Sequence, residues 1–217
     1  MAKAQKSKTL DLYSPEEEVA NTITHGIGAI LGIVGTVLLL SRAEGTTKMW
    51  SLFIFGLSLV NLYTASTFYH AVKSEKQKLL FKKLDHIGIY LLIAGTFTPF
   101  AWGVLGEEAL GQQILMWVWI IAAAGVVFKI FLTGKYEAIS LISYIGMGWL
   151  GFLMFDRLSE VLSPQAVNLM LYGGLCYTGG IIFYLMHKLK YHHAIWHLFV
   201  LAGSAFHFAA IYLFVAK

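Results

Sequence analysis

Charged residues divide this chain into seven long stretches that contain none: residues 19–41, 49–72, 86–106, 109–128, 138–155, 161–187 and 191–216. A helix of about 20 predominantly apolar residues crosses the hydrocarbon layer of a membrane, and tilt accommodates longer ones. The shortest stretch, AISLISYIGMGWLGFLMF, counts as a span because no charge breaks it. Omitting it would put the basic segments on either side of it on opposite membrane faces. The pattern predicts an all-α polytopic membrane protein, a seven-transmembrane helix bundle over residues 19–217. A polar tail, residues 1–18, precedes it without the apolar core and small-residue cleavage site of a secretory signal.

Glycines recur where helices can approach closely: Gly28 and Gly32 in the first span, Gly146, Gly148 and Gly151 in the fifth, and Gly173, Gly174, Gly179 and Gly180 in the sixth. Plain helix packing accounts for them. Pro99 lies inside the third span and removes the hydrogen bond to the Gly95 carbonyl, which predicts a kink.

Composition agrees with the pattern. The chain is 58% hydrophobic and 13% charged, where a soluble domain has about 25% charged residues, and its mean hydropathy is +0.68. Lys and Arg set the orientation, because they accumulate on the cytoplasmic side of short loops. With the N-terminus inside, twelve of the sixteen fall on cytoplasmic segments and four (Arg42, Lys48, Arg157 and Lys217) on external ones. The prediction is a cytoplasmic N-terminus and an external C-terminus. The net charge of +4 is then a topological signal and not a nucleic-acid-binding one. The segment KSEKQKLLFKK is also suited to lie against anionic lipid headgroups. A single cysteine, Cys176, leaves neither an internal disulfide nor a cysteine metal cluster available, so a metal site must use His, Asp or Glu.

The seventh span changes the picture, since it holds four of the eight histidines and no charged residue. Groups of this kind inside a membrane helix are costly unless they face the protein interior and have partners. His193 and His197 stand four apart, on one helical face. Alternating spans bring other groups to their level. His70 ends the second span with Ser66 one turn deeper, Asp85 opens the third, and His193 and His197 open the seventh, all near the cytoplasmic face. Three imidazoles and a carboxylate suit Zn²⁺. Asp85 is then either a fourth ligand or the general base beside the metal, and spacing leaves both open. The plainer alternatives are membrane histidines hydrogen-bonded to neighbouring helices, and Asp85 as a first-turn acid favoured by the helix dipole. Asn21 and His25 face the same layer as interhelical hydrogen-bonding groups, and His86 shares a face with Tyr90. His187 sits at a helix end, His192 is expected in solvent beside a loop, and His207 is expected to be a buried hydrogen-bonding residue about 15 Å from His197.

NTITHG in the first span, STFYH ending the second, KLDHIGIYLLIAGTFTPF in the third and HHAIWH with the later FHF in the seventh resemble the haemolysin III proteins, bacterial relatives of the adiponectin and progestin receptors. The resemblance covers essentially the whole chain. It implies a seven-helix fold in a bacterial plasma membrane with a cytosolic N-terminus. It also implies zinc held by His70, His193 and His197, with Asp85 near the metal and Ser66 close by. The constellation is similar to that of alkaline ceramidases, which implies hydrolysis of a lipid amide or ester, with Asp85 and Ser66 as catalytic groups and an acyl-chain lipid as substrate. With only a short polar stretch ahead of the first span, a hormone-receptor role is not expected. No amphipathic pore-forming segment is evident in the uniformly apolar spans. The competing expectations are a non-enzymatic sensor or homeostasis factor for membrane lipids, or a cytolysin, each with structural zinc. A haem protein ranks last, because haem needs facing histidines at matched depth on two spans.

Overall fold

The computed structural model describes residues 13–216. Among them it has seven helices long and apolar enough to cross a membrane. They are α1 (Pro15–Leu40), α2 (Thr46–Ala71), α3 (Glu75–Thr98) with a wider π-helical continuation at Pro99–Val104, α4 (Ala109–Leu132), α5 (Glu137–Trp149), α7 (Pro164–Leu185) and α8 (His192–Phe214). The fifth span joins α5 through a 3₁₀ segment, Leu150–Met154, to a short α6, Phe155–Val161. The stretch 138–155, shortest by charge alone, is thus part of a continuous 25-residue span, Glu137–Val161. Residues 1–12 of the polar tail lie outside the described residues.

The bundle is built inside out relative to a soluble one. The buried positions of α1 are Asn21, His25, Gly28, Gly32, Gly35 and Leu39, a stripe spaced by three and four residues. Its outward face carries Ile23, Ile27, Ile30, Ile33 and Val37, all at least half exposed. In lipid, apolar side chains gain nothing from the interior, so small and polar residues take the helix contacts. Gly28 shows the reason. A Cβ there would stand 2.7 Å from Leu201 Cδ2 and 2.8 Å from Tyr63 Cδ1, closer than real Cβ atoms come, so only glycine lets α1 approach α2 and α8. Packing does not account for every glycine, because added Cβ atoms at Gly146, Gly148 and Gly174 meet nothing within 4 Å.

α2 and α3 are the most enclosed helices. α1 packs on α2 and α8, α3 on α2 and α4, and α7 on α8, whereas α5 only brushes α3, α4 and α7. Beside that loose seat is a partly open cavity lined mainly by α3, α5, α7 and α8, with His25 of α1 and Leu62 and Tyr69 of α2. Pro99, which has no N–H to give to the Gly95 carbonyl, opens the π-helical segment Pro99–Val104. Beyond it the chain turns more widely, with the Leu105 amide donating to the Phe100 carbonyl at 3.0 Å, and Phe100 lines the cavity. At the opposite end of the bundle from the histidines, Arg157 of α6 donates from Nε to both oxygens of Glu108, at 3.0 and 2.9 Å, tying the fifth span to the start of α4. That guanidinium holds the Glu108 carboxyl below its ordinary value.

Candidate metal centre

The last turn of α2 and the first two turns of α8 meet at one end of the bundle. Their histidines, His70, His193 and His197, are 3%, 6% and 0% exposed. The ring centroids form a near-equilateral triangle, 5.1 Å for His70 to His193, 5.2 Å for His70 to His197 and 4.6 Å for His193 to His197. One ring nitrogen of each lies within 4.8 Å of the others. Zinc bound by imidazoles has Zn–N distances of about 2.0–2.1 Å in tetrahedral geometry, so small rotations of the rings close the triangle onto one ion.

The segment entering α1 and its first turns orient all three rings. The Glu18 carboxylate lies 2.7 Å from His70 Nδ1, with Asn21 Nδ2 3.4 Å from the same nitrogen. The Tyr13 hydroxyl is 3.0 Å from His193 Nδ1, and Thr24 Oγ1 is 3.0 Å from His197 Nδ1. An ionised carboxylate only accepts hydrogen bonds, so Glu18 fixes the proton of His70 on Nδ1. The Thr24 hydroxyl gives its own proton to the Ala20 and Asn21 carbonyls, at 2.9 Å each, and accepts from His197 Nδ1. On His70 and His197 the free lone pair is then on Nε2, and His193 takes the same tautomer when its Nδ1 donates to the Tyr13 hydroxyl. Nε2 of His193 and of His197 is buried and makes no hydrogen bond. A buried nitrogen without a partner costs about 1–3 kcal/mol, and a metal ion would satisfy it. Residues that present Nε2 lone pairs to one point, backed at Nδ1 by a carboxylate and hydroxyls, fit zinc.

Ring orientation by Glu18 should be measurable. Glu18→Gln is expected to weaken zinc binding about 10–100-fold, the usual worth of such an outer partner, as read by competition with a chromogenic chelator. Unchanged affinity would mean that the carboxylate only pairs with Lys78, whose Nζ donates to its other oxygen.

The histidine placement agrees with the sequence reading, and several neighbouring expectations need correction. Asp85 is not a first-turn acid, because α3 begins at Glu75 and places Asp85 well inside the helix. It is buried, 4% exposed, and lies in the cavity wall with His193 and His25 but outside the three-histidine group. Ser66 is fully buried with a hydroxyl that makes no hydrogen bond. His25 makes no interhelical hydrogen bond; its ring stacks on His197 at 3.4 Å between centroids and 11° between planes. His192 is 6% exposed, buried among Tyr13, His187 and His193 and not in solvent. Nδ1 of His207 has no hydrogen-bond partner, and its ring stacks on Tyr177.

Tyr13, Glu18 and Thr24 were absent from the sequence reading, although two signals pointed to them. Ser14-Pro15-Glu16-Glu17 is a helix-start signature, a capping box with proline at the first position, and Ser14 and Glu17 form that reciprocal pair. Glu18 is also three and seven residues before Asn21 and His25, on the same face.

The cavity, about 240 Å³ in volume, runs from this centre into the bundle. Asp85, His86, Glu137 and His193 line its histidine end, and Phe97, Phe100, Met154 and Leu158 are among its apolar walls. Gly148 and Gly174, the glycines without packing partners, also border it.

A family model described as haemolysin-III related matches residues 13–208. The chain is 41% identical over 209 residues to the Hemolysin-3 homolog of Bacillus subtilis (strain 168), covering 95% of this chain and 98% of that protein. It is 44% identical over 203 residues to Hemolysin-3 of Bacillus cereus, with 92% of each chain covered. Human monocyte to macrophage differentiation factor is 29% identical over 214 residues, 94% of this chain and 88% of that one. No solved structure matches. With the family model running from the tyrosine that braces His193 through both α8 histidines of the centre, this chain belongs to the haemolysin III family.

Proposed function

We propose that this protein is a zinc-dependent membrane hydrolase acting on an amide or ester of an acyl-chain lipid. The observation that carries the reading is the juxtaposition of three braced, buried imidazoles with a buried carboxylate at the polar end of an apolar cavity. A metal whose outer contacts are all protein need not open onto a cavity, whereas one that works on a lipid must. Zinc bound at His70, His193 and His197 would polarise a carbonyl oxygen and lower the pKa of a water to about 7.

The chain's own residues do the rest. Asp85 takes a proton from the attacking water and returns it to the leaving nitrogen or oxygen. Ser66, one turn from His70 on α2 and fully buried with an unpartnered hydroxyl, is assigned as the second catalytic group on the strength of that position. The walls around Phe97 and Met154 hold the acyl chain and keep bulk water away. The test is release of fatty acid from ceramides and from lipid esters by the purified protein, abolished by chelation and restored by Zn²⁺. Absence of zinc-dependent release from every lipid offered would favour a sensor of membrane lipids with structural zinc. The name of the Bacillus cereus relative, Hemolysin-3, motivates a leakage assay on dye-loaded vesicles beside it; leakage without hydrolysis would favour a cytolysin.

The histidine end is assigned to the cytoplasmic face of a bacterial plasma membrane, supported by the twelve-to-four distribution of Lys and Arg. Glu75→Cys and Glu107→Cys, each in a Cys176→Ser background, should label from the cytoplasmic and external sides respectively. The reverse pattern would invert the protein.

A further inference from the structure

Beside the metal centre and outside its ligands, charged groups from three helices converge on one imidazole. His86 follows Asp85 on α3, and its Nδ1 lies 2.8 Å from the Lys82 carbonyl and 3.6 Å from Asp85 Oδ2. Its Nε2 lies 3.7 Å from Glu137 Oε2, at the first residue of α5. Glu137 is fixed in place, because Lys129 Nζ of α4 donates to the same oxygen at 2.9 Å and the Gly134 amide donates to Oε1 at 3.0 Å. Tyr144 of α5 donates to the His86 carbonyl at 2.9 Å. Side-chain exposure falls from 34% at Glu137 through 13% at His86 to 5% at Asp85. All three border the cavity, with Glu137 at the start of α5 the most exposed and Asp85 the most buried.

A structural ion pair explains part of this cluster. Lys129 is fully buried, and Glu137 is the carboxylate its charge needs. That pairing does not explain an imidazole between two carboxylates, with a different nitrogen toward each. We infer that Glu137 and His86 form a proton relay between solvent and Asp85. The inference rests on reading Asp85 as the base of a hydrolase, and gives that base its route to water.

The relay balances as follows. In ester hydrolysis the water oxygen bonds to the carbonyl carbon, the carbon–oxygen bond breaks, and the leaving alcohol carries away one water proton. The acid product ionises and leaves one surplus proton on Asp85. The Lys82 carbonyl holds the resting proton of His86 on Nδ1 and leaves the lone pair on Nε2. A half-turn of the ring brings Nε2 to Asp85, where it takes the surplus proton. The return turn hands that proton to Glu137, which releases it to solvent and leaves the starting tautomer. No electrons move. Contacts of 3.6 and 3.7 Å exceed a direct hydrogen bond, so each transfer proceeds through a bridging water or a small ring rotation. The groups facing the imidazole are Lys82 and Asp85 of α3, Lys129 of α4, Glu137 of α5 and, across the cavity, His193 of α8. His86 acts through Asp85, and its effect is on proton supply.

The experiment is pH-jump infrared spectroscopy of the purified, zinc-loaded protein, which needs no substrate. The Asp85 carboxyl band is the one missing from Asp85→Asn. In His86→Ala its response to the jump is expected to slow at least about tenfold, a small part of what a positioned proton-transfer group contributes. Added imidazole should restore the rate. Glu137→Gln should slow the response as well. A wild-type rate in His86→Ala, or a slow rate that imidazole leaves unchanged, would overturn the relay. If His86→Ala does not fold, His86→Gln carries the same expectation and the same contrary results. A protein that hydrolyses no lipid but shows the imidazole-dependent response keeps the relay and loses the hydrolase reading. Hydrolysis without that response does the reverse.

Discussion

Asp85→Asn is expected to lower lipid amide or ester turnover by about two to four orders of magnitude, the usual worth of a positioned general base, while zinc content stays at the wild-type level. The structure separates these two effects. Asp85 lies in the cavity wall, 4% exposed, but is not one of the three groups whose nitrogens converge. Asparagine keeps the shape and the capacity to hydrogen-bond and removes only the ability to take a proton. Were Asp85 a fourth ligand, the same substitution would cost metal. Were zinc only structural, the variant's behaviour would follow its stability alone. Fatty-acid release, zinc stoichiometry and thermal unfolding, measured together on wild type and Asp85→Asn, distinguish the three. Undiminished turnover in Asp85→Asn would keep the enzyme and remove Asp85 as its base.

The bundle was readable because a charge in hydrocarbon is costly, so uninterrupted windows coincide with spans. What the windows could not place were helix ends that project beyond the hydrocarbon. α3 runs back to Glu75 through KQKLLFKK, where charge is tolerated and the apolar signal fails. For that reason Asp85 looked like a first-turn acid. The histidine triangle was legible from a four-residue spacing and from alternation of spans, since His70, His193 and His197 each open or close an uncharged window. The outer contacts were less legible. Tyr13 and Glu18 lie in the polar stretch taken as a tail, and only the capping signature at Ser14 showed that the helix had already begun. His192 misled because adjacency to a loop does not imply water when an aromatic side chain such as Tyr13 covers the position. The Lys129–Glu137 pair falls between windows and joins helices whose neighbourhood no local pattern specifies.

Those outer contacts bear on the substrate as well as the metal. Tyr13, Glu18 and Thr24 hold the rings from the α1 side, whereas the cavity reaches the centre from the side of α3, α5 and α7. Of the three histidines, His193 is the one in the cavity wall, and its Nδ1 is held by Tyr13.

The second large effect follows from the ligands themselves. Removing one imidazole leaves two, which do not complete a tetrahedral protein site. Zinc binding at structural sites is worth about 10–16 kcal/mol, and the loss of even a third of that is more than about a hundredfold in Kd. The most direct measurement is therefore the zinc content, by elemental mass spectrometry after dialysis against a weak chelator, of wild type, His70→Ala, His193→Ala and His197→Ala. The account predicts one zinc per chain in the wild type and loss of it in each variant, with helical content by circular dichroism checked alongside. Full zinc occupancy in all three variants, or a wild-type protein that binds none when zinc is supplied, would contradict it.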